Sequence, residues 1–215
     1  MPKPILVVAG TDFQDPLTSY MDTDDAGHGD YTVQTARTKA ILTKIKEAYG
    51  DAYGFLAGGD YNFDEIKESE ERTSYGVRKV LEAVTDVFGP EIRSVIVHGN
   101  HDAVVPEMSP SGANDTPYYG VFVMRENEYR SYPLIPRKWP DWEQSEAIAA
   151  KLAGELEEYL AEKAAAGYDK PVFIASHAPL HFNTRTKDKG DAIYADRFFA
   201  VIRQYAEQLN ILFLR

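Results

Sequence analysis

Short apolar runs closed by glycine or small polar residues set the frame of this chain. Residues 5–9 end in Gly10, residues 55–57 in Gly58-Gly59, residues 94–97 in His98-Gly99, and residues 172–175 in Ser176-His177; residues 211–214 form a fifth run. Such runs between turn signals fit strands buried on both faces. Between them the apolar residues step by three and four, the period of a helix with one buried face. Val33, Ala36, Ala40, Ile41 and Ile45 predict a helix over 33–49 that stops at Gly50. Val77, Val80, Leu81, Val84 and Phe88 predict a second over 74–88, stopped by Gly89-Pro90. Ile148, Leu152, Leu156, Tyr159 and Leu160 predict a third over 142–166, with Asp141 and Gln144 at capping-box spacing and Gly167 as its end. Phe198, Phe199, Ile202 and Tyr205 predict a fourth over 192–207. Strand and helix alternate, so the expected class is α/β.

The stretch 103–141 breaks that rhythm and is rich in Pro, Ser, Gly and Tyr. Residues 119–124 are a candidate strand within it, with 129–134 a candidate partner. We read the stretch as an insertion near the site, inside a single domain covering 1–215, because 215 residues suffice for one large core. There is no internal sequence repeat and no low-complexity tract.

Composition excludes several function classes. Hydrophobic content of 44% and charged content of 27% are those of a folded, soluble chain. A net charge of -11 and the lack of any Lys/Arg run argue against bulk nucleic-acid binding and against a membrane surface. They leave phosphorylated substrates open, because a bound divalent cation inverts the local field. The absence of cysteine rules out disulfides, thiolate zinc sites and a cysteine nucleophile. The first apolar run is too short for a signal-peptide core, and no run reaches bilayer length. A cytoplasmic location is the default, although a cell-surface or secreted parent trimmed of its leader would read the same.

The residues that can carry chemistry share one place in the pattern. Asp12 and Gln14 follow the first run, Asp60 and Asn62 the second, Asn100, His101 and Asp102 the third, and His177 the fourth. Ligands of open α/β sheets bind beyond the carboxyl ends of the strands, so successive strand ends would deliver Asp, Asn and His to one edge. Those residue types suit a pair of divalent cations. A carboxylate can bridge two like charges, and neutral imidazole and amide groups complete the shells.

The order Gly59-Asp60, Gly99-Asn100-His101-Asp102 and Ser176-His177 resembles the calcineurin-like metallophosphoesterases, over nearly the whole chain from Asp12 onward. The resemblance implies a four-layer sandwich of two packed mixed β-sheets flanked by helices, with two metal ions at their edge. It implies that Asp60 bridges both metals, that Asp12 serves the first, and that Asn100 and His177 serve the second. Gln14 stands where the family usually has a histidine of an Asp-x-His motif, so a weaker neutral oxygen replaces an imidazole. His101 matches the residue that contacts the phosphate and helps the leaving group depart, and Asp102 matches the carboxylate that orients it. The family's closing Gly-His-x-His motif is absent, and the expectation is a chain truncated at its C-terminus.

The activity so implied is hydrolysis of a phosphomonoester or phosphodiester by a metal-bridging hydroxide, with Mn, Fe or Zn as the metal and a phosphorylated small molecule or protein as substrate. Asn100 and His101 would hold the phosphate, and Arg185 and Lys187 in the 183–190 loop can attract it by charge. The alternative is a phosphoesterase-like binding or regulatory domain whose dinuclear site is incomplete, which Gln14 and the missing motif favour. A third reading is an unrelated α/β domain with a fortuitous polar cluster. Other residues keep plainer readings open. Gln14 can hydrogen-bond a loop backbone, and Arg185 and Lys187 can belong to a solvated loop. His28 sits in an acidic loop, His98 packs at a strand end, and His181 can line the pocket. Tyr118, Tyr119, Trp139 and Trp142 either wall the pocket or pack elsewhere.

Overall fold

The computed structural model describes residues 5–11, 13, 31–61, 70–99, 102–110, 112, 115–124, 142–177 and 189–214. Among the described residues ten elements follow one another: β1 (Val7–Gly10), α1 (Tyr31–Tyr49), β2 (Gly54–Ala57), α2 (Glu70–Phe88), β3 (Arg93–Ile96), β4 (Gly120–Val123), α3 (Trp142–Ala165), β5 (Val172–Ala175), α4 (Lys189–Tyr205) and β6 (Ile211–Leu214). The α/β class and every strand and helix expected within the described residues are present. The chain divides into two compact units, Met1–Met108 and Ser109–Arg215. The boundary falls inside the 103–141 stretch, and that stretch also supplies β4.

Both units have the same plan. In the first, β1, β2 and β3 lie side by side in that order, all parallel. In the second, β4, β5 and β6 do the same. Mixed sheets were expected; among the described residues both sheets are wholly parallel. The physical reason is the connection. A helix links every consecutive pair of strands within a unit, and a helical crossover returns the chain in the same direction. The candidate strand at 129–134 lies outside the described residues.

The first core forms where one face of the sheet meets its two helices. Val8, Phe55, Ala57 and Ile96 from the strands pack with Leu42 of α1 and Val77, Val80, Val84 and Val87 of α2. The residues between them along the strands, Leu56 and Val95, are buried too. That explains why β2 reads as an unbroken apolar run rather than an alternating one. Lys39 of α1 and Asp86 of α2 form an ion pair at 2.6 Å, with both side chains about half exposed. Such a pair adds little beside the apolar contact.

The second core repeats the arrangement. Phe122, Val172 and Ile174 meet Leu152, Leu156 and Leu160 of α3 and Phe198, Val201 and Tyr205 of α4. The entry to β4 is tied to the end of α3. Asp115 accepts a hydrogen bond from the Tyr159 hydroxyl at 2.9 Å and pairs with Lys163. The Lys163 side chain is buried and lies over the rings of Tyr159 and Tyr168, at 4.9 and 5.6 Å. Burying that ammonium is tolerable because the carboxylate and two ring faces replace its water.

Three helices stop where the sequence places their glycines. Gly50, Gly89 and Gly167 have φ of 93°, 94° and 63°, the left-handed geometry that ends a helix and that glycine adopts without strain. No helix among the described residues is long and apolar enough to cross a membrane.

Candidate functional site

In the first unit the strand ends are drawn level by hydrogen bonds that continue the ladder past the strands. Gly58 N donates to Gly10 O at 2.7 Å, and Val97 N donates to Ala57 O at 2.7 Å. Two loops therefore leave β2 and β3 side by side. The first carries Gly59-Asp60-Tyr61, and the second carries Gly99 and Asp102, which bracket Asn100 and His101 in sequence.

The two loops are joined by one side chain. Asp102 is fully buried, and its carboxylate accepts three backbone N–H groups: Asp60 N at 2.8 Å, Tyr61 N at 2.7 Å and Gly99 N at 2.8 Å. A buried carboxylate would cost several kcal/mol if it were left without such donors. Here its charge is spread over amide dipoles from both loops. Asp102 N also donates to Gly99 O at 3.3 Å, closing the turn from the other side.

Asp60 sits in this junction with a φ of 60°. Left-handed backbone at a non-glycine residue is uncommon, and aspartate is among the residues that tolerate it best. The residue is 3% exposed, so its carboxylate is withdrawn from bulk water. Gly99 leaves the room for it: a Cβ there would lie 2.2 Å from Asp60 Oδ1 and 2.3 Å from Asp60 N. No side chain can occupy position 99 without moving Asp60.

Tyr61 holds the β2 loop from below. Its hydroxyl donates to Ala57 O at 2.8 Å and accepts from Gly59 N at 3.2 Å. Its ring stacks on Phe13, with centroids 5.7 Å apart and an interplanar angle of 4°. The residue is wholly buried, and burial pushes the phenol well above its ordinary range, with the Asp102 charge adding to the effect. Helix α2 closes the same junction. Gly76 packs so tightly that a Cβ there would stand 2.4 Å from Tyr61 O. Thr73, also buried, accepts a hydrogen bond from Ala103 N at 3.0 Å, which secures the chain beyond Asp102.

Of the expected site residues, Asp60 and Asp102 are brought together in the first unit; Phe13, which stands between Asp12 and Gln14 in sequence, packs in the core. His177 lies in the second unit, half-buried, directly after β5. Its neighbour Ser176 is fixed there by Ser176 N donating to Leu214 O at 3.1 Å. Asp12, Gln14, Asn100, His101 and Arg185 lie outside the described residues, as do Asn62, His28, His181, Lys187 and Trp139. His98 is buried at the end of β3, as a packing residue would be. The sequence reading missed Tyr61, Thr73 and Gly76. Only the aromatic directly after Gly59-Asp60 could have signalled any of them.

Among the described residues no group of three or more His, Asp or Glu side chains is placed to hold a metal ion. Of the expected ligands only Asp60 and His177 are described, one in each unit. Asp60 offers a hard oxygen donor, buried at a strand's carboxyl end, in space that Gly99 keeps clear. No family model matches the chain, and no curated protein matches it. What the fold defines is an α/β protein with a buried acidic junction at the carboxyl ends of β2 and β3.

Proposed function

We propose that the chain is a metal-dependent phosphoesterase of the calcineurin-like type, with its two sheets layered as in that family, hydrolysing a phosphomonoester or phosphodiester. The observation that carries the reading is Asp60. A buried aspartate in left-handed backbone, at the end of a parallel strand, is a costly arrangement, and such outliers gather at functional sites.

Asp12, Gln14, Asp60, Asn100 and His177 are the residues that would hold two divalent ions. Such ions, when bound, would polarise the phosphate and bring the pKa of a bound water down toward neutrality. Asn100 and His101 would bind the phosphate oxygens, and His101 would give a proton to the departing oxygen. Asp60 would bind and orient through its carboxylate, and its burial keeps bulk water from competing for those oxygens.

The test is hydrolysis of an aryl phosphate with Mn²⁺ added. Asp60→Asn keeps the size of the side chain and tolerates the same backbone, so the fold should persist. The rate is expected to fall by at least about a hundredfold, as when a group acting on the transition state is lost. An Asp60→Asn variant as active as the parent would remove the basis of the proposal. A parent that binds Mn²⁺ but never hydrolyses a phosphate ester would instead support the binding or regulatory domain.

A further inference from the structure

The resemblance to the metallophosphoesterases gives Asp102 the task of orienting His101. The geometry points to another task, and we propose that Asp102 is a positioning residue for Asp60. Its carboxylate locks the loops after β2 and β3 together and holds Asp60 in its left-handed conformation. The direction of the Asp60 carboxylate then depends on a residue 42 positions away.

Three observations carry this. Both carboxylate oxygens are engaged: Oδ1 by Tyr61 N, and Oδ2 by Asp60 N and Gly99 N. Those donors come from both loops, so one side chain fixes their separation. Asp60 N and Tyr61 N are the amides on either side of the Asp60 α-carbon. Anchoring both to one carboxylate sets the two backbone dihedrals of Asp60 directly. A carboxylate suits the task because it accepts on both oxygens and donates on neither. Asn at position 102 would turn an NH₂ group toward at least one backbone N–H, so the clamp would lose one or two of its three bonds. Gly99 completes the device, since its missing side chain lets Asp60 approach.

The part of this inference that concerns metal binding rests on the proposed function; the clamp itself does not. The experiment separates them by using the full chain, the Asp102→Asn variant and a Val84→Ala control. Val84 is a wholly buried core residue of α2 and belongs to neither loop, so its truncation lowers stability without changing a loop residue. Amide hydrogen exchange is read first, on metal-free protein. In the parent, Asp60, Tyr61 and Gly99 should be protected. In Asp102→Asn their exchange should rise about tenfold or more beyond the rise at Val80 and Val84, whereas Val84→Ala should raise exchange across the unit together. If the three amides are unprotected in the parent, or merely follow α2 in Asp102→Asn, the clamp is wrong.

Mn²⁺ binding is read second. Asp102→Asn should weaken it by about tenfold to a hundredfold, the usual effect of losing a group that orients a ligand, and Val84→Ala should leave it unchanged. Unchanged affinity in Asp102→Asn would overturn the positioning role. If the parent itself binds no Mn²⁺, the proposed function falls, and the exchange pattern alone decides the clamp.

Discussion

Asp60 and Tyr61 are consecutive, and the fold asks opposite things of them. Asp60 puts a charged group and an unfavourable backbone conformation into a buried junction, a local cost of about 1–3 kcal/mol for the conformation alone. Tyr61 offsets part of that cost with a buried ring and a hydroxyl that donates one hydrogen bond and accepts another. The phenol is held neutral, since burial first and the Asp102 charge second oppose its ionisation. The pH dependence follows from the unfolded chain. There a tyrosine ionises near its ordinary value of about 10, while the folded protein still keeps the proton. The contribution of Tyr61 is therefore complete below pH about 10 and is lost as pH rises from there toward the raised folded value. Tyr61→Phe should cost about 1–2 kcal/mol at neutral pH, through the lost hydrogen bonds. The gap between parent and variant should narrow above pH about 10, because the variant has no proton to lose there. Urea unfolding of both proteins across that range checks this, since the other tyrosines cancel in the difference. Curves that stay parallel would mean that the hydroxyl is not held as described.

At the scale of elements, two glycines in helix interiors, Gly76 and Gly154, make the sharpest contrast. Both look like defects, because glycine in a helix interior is worth about 1 kcal/mol less than alanine. Gly154 in α3 has nothing within 4 Å of where a Cβ would stand, so Gly154→Ala should stabilise by about 0.5–1 kcal/mol. Gly76 in α2 faces the backbone of Tyr61, where a Cβ would come within 2.4 Å. Gly76→Ala should therefore destabilise, by about 1–3 kcal/mol, as overpacking does. Thermal melts of the two variants should move in opposite directions, and equal shifts would contradict the packing of α2 on the β2 loop. The same contrast shows what the sequence could reveal. Periodicity and stop signals located all the described elements, because Val77, Val80 and Val84 or Leu152, Leu156 and Leu160 mark a buried face by spacing alone. Gly99-Asn100-His101-Asp102 marked where chemistry could gather. Spacing carries no information about which oxygen meets which amide. The clamp at Asp102, the left-handed Asp60 and the seat of Gly76 on Tyr61 all depend on contacts between segments far apart in sequence. Nor did the apolar runs announce that both sheets are wholly parallel, since a buried strand reads alike in either direction.

At the scale of the molecule, the chain holds the same β-α-β-α-β plan in each of its two units, with a three-stranded parallel sheet in each. No sequence repeat accompanies this, because the plan is set by apolar periodicity and helix stops rather than by particular residues. Each unit has a core built from its own helices and strands, and the site elements described in detail, from Gly58 to Asp102, belong to the first. The second unit has its own means of closure. Leu152, Leu156, Leu160, Ile174 and Phe198 are completely buried, and Asp115 fastens the entry to β4 onto α3 through Tyr159 and Lys163. A unit with its own core can fold alone. The fragment 109–215 should thus be helical by circular dichroism and melt cooperatively. Within it, Lys163→Ala should lower the melting temperature, because the Asp115 carboxylate and the two tyrosine rings lose their shared cation. The effect should be modest, about 1–2 kcal/mol, since the Asp115 side chain is 47% exposed and water can replace the lost partner. A fragment without a cooperative melt would show that the two cores form one folding unit. The acidic junction of the first half would then owe its rigidity to the whole chain rather than to β1–β3 and their helices.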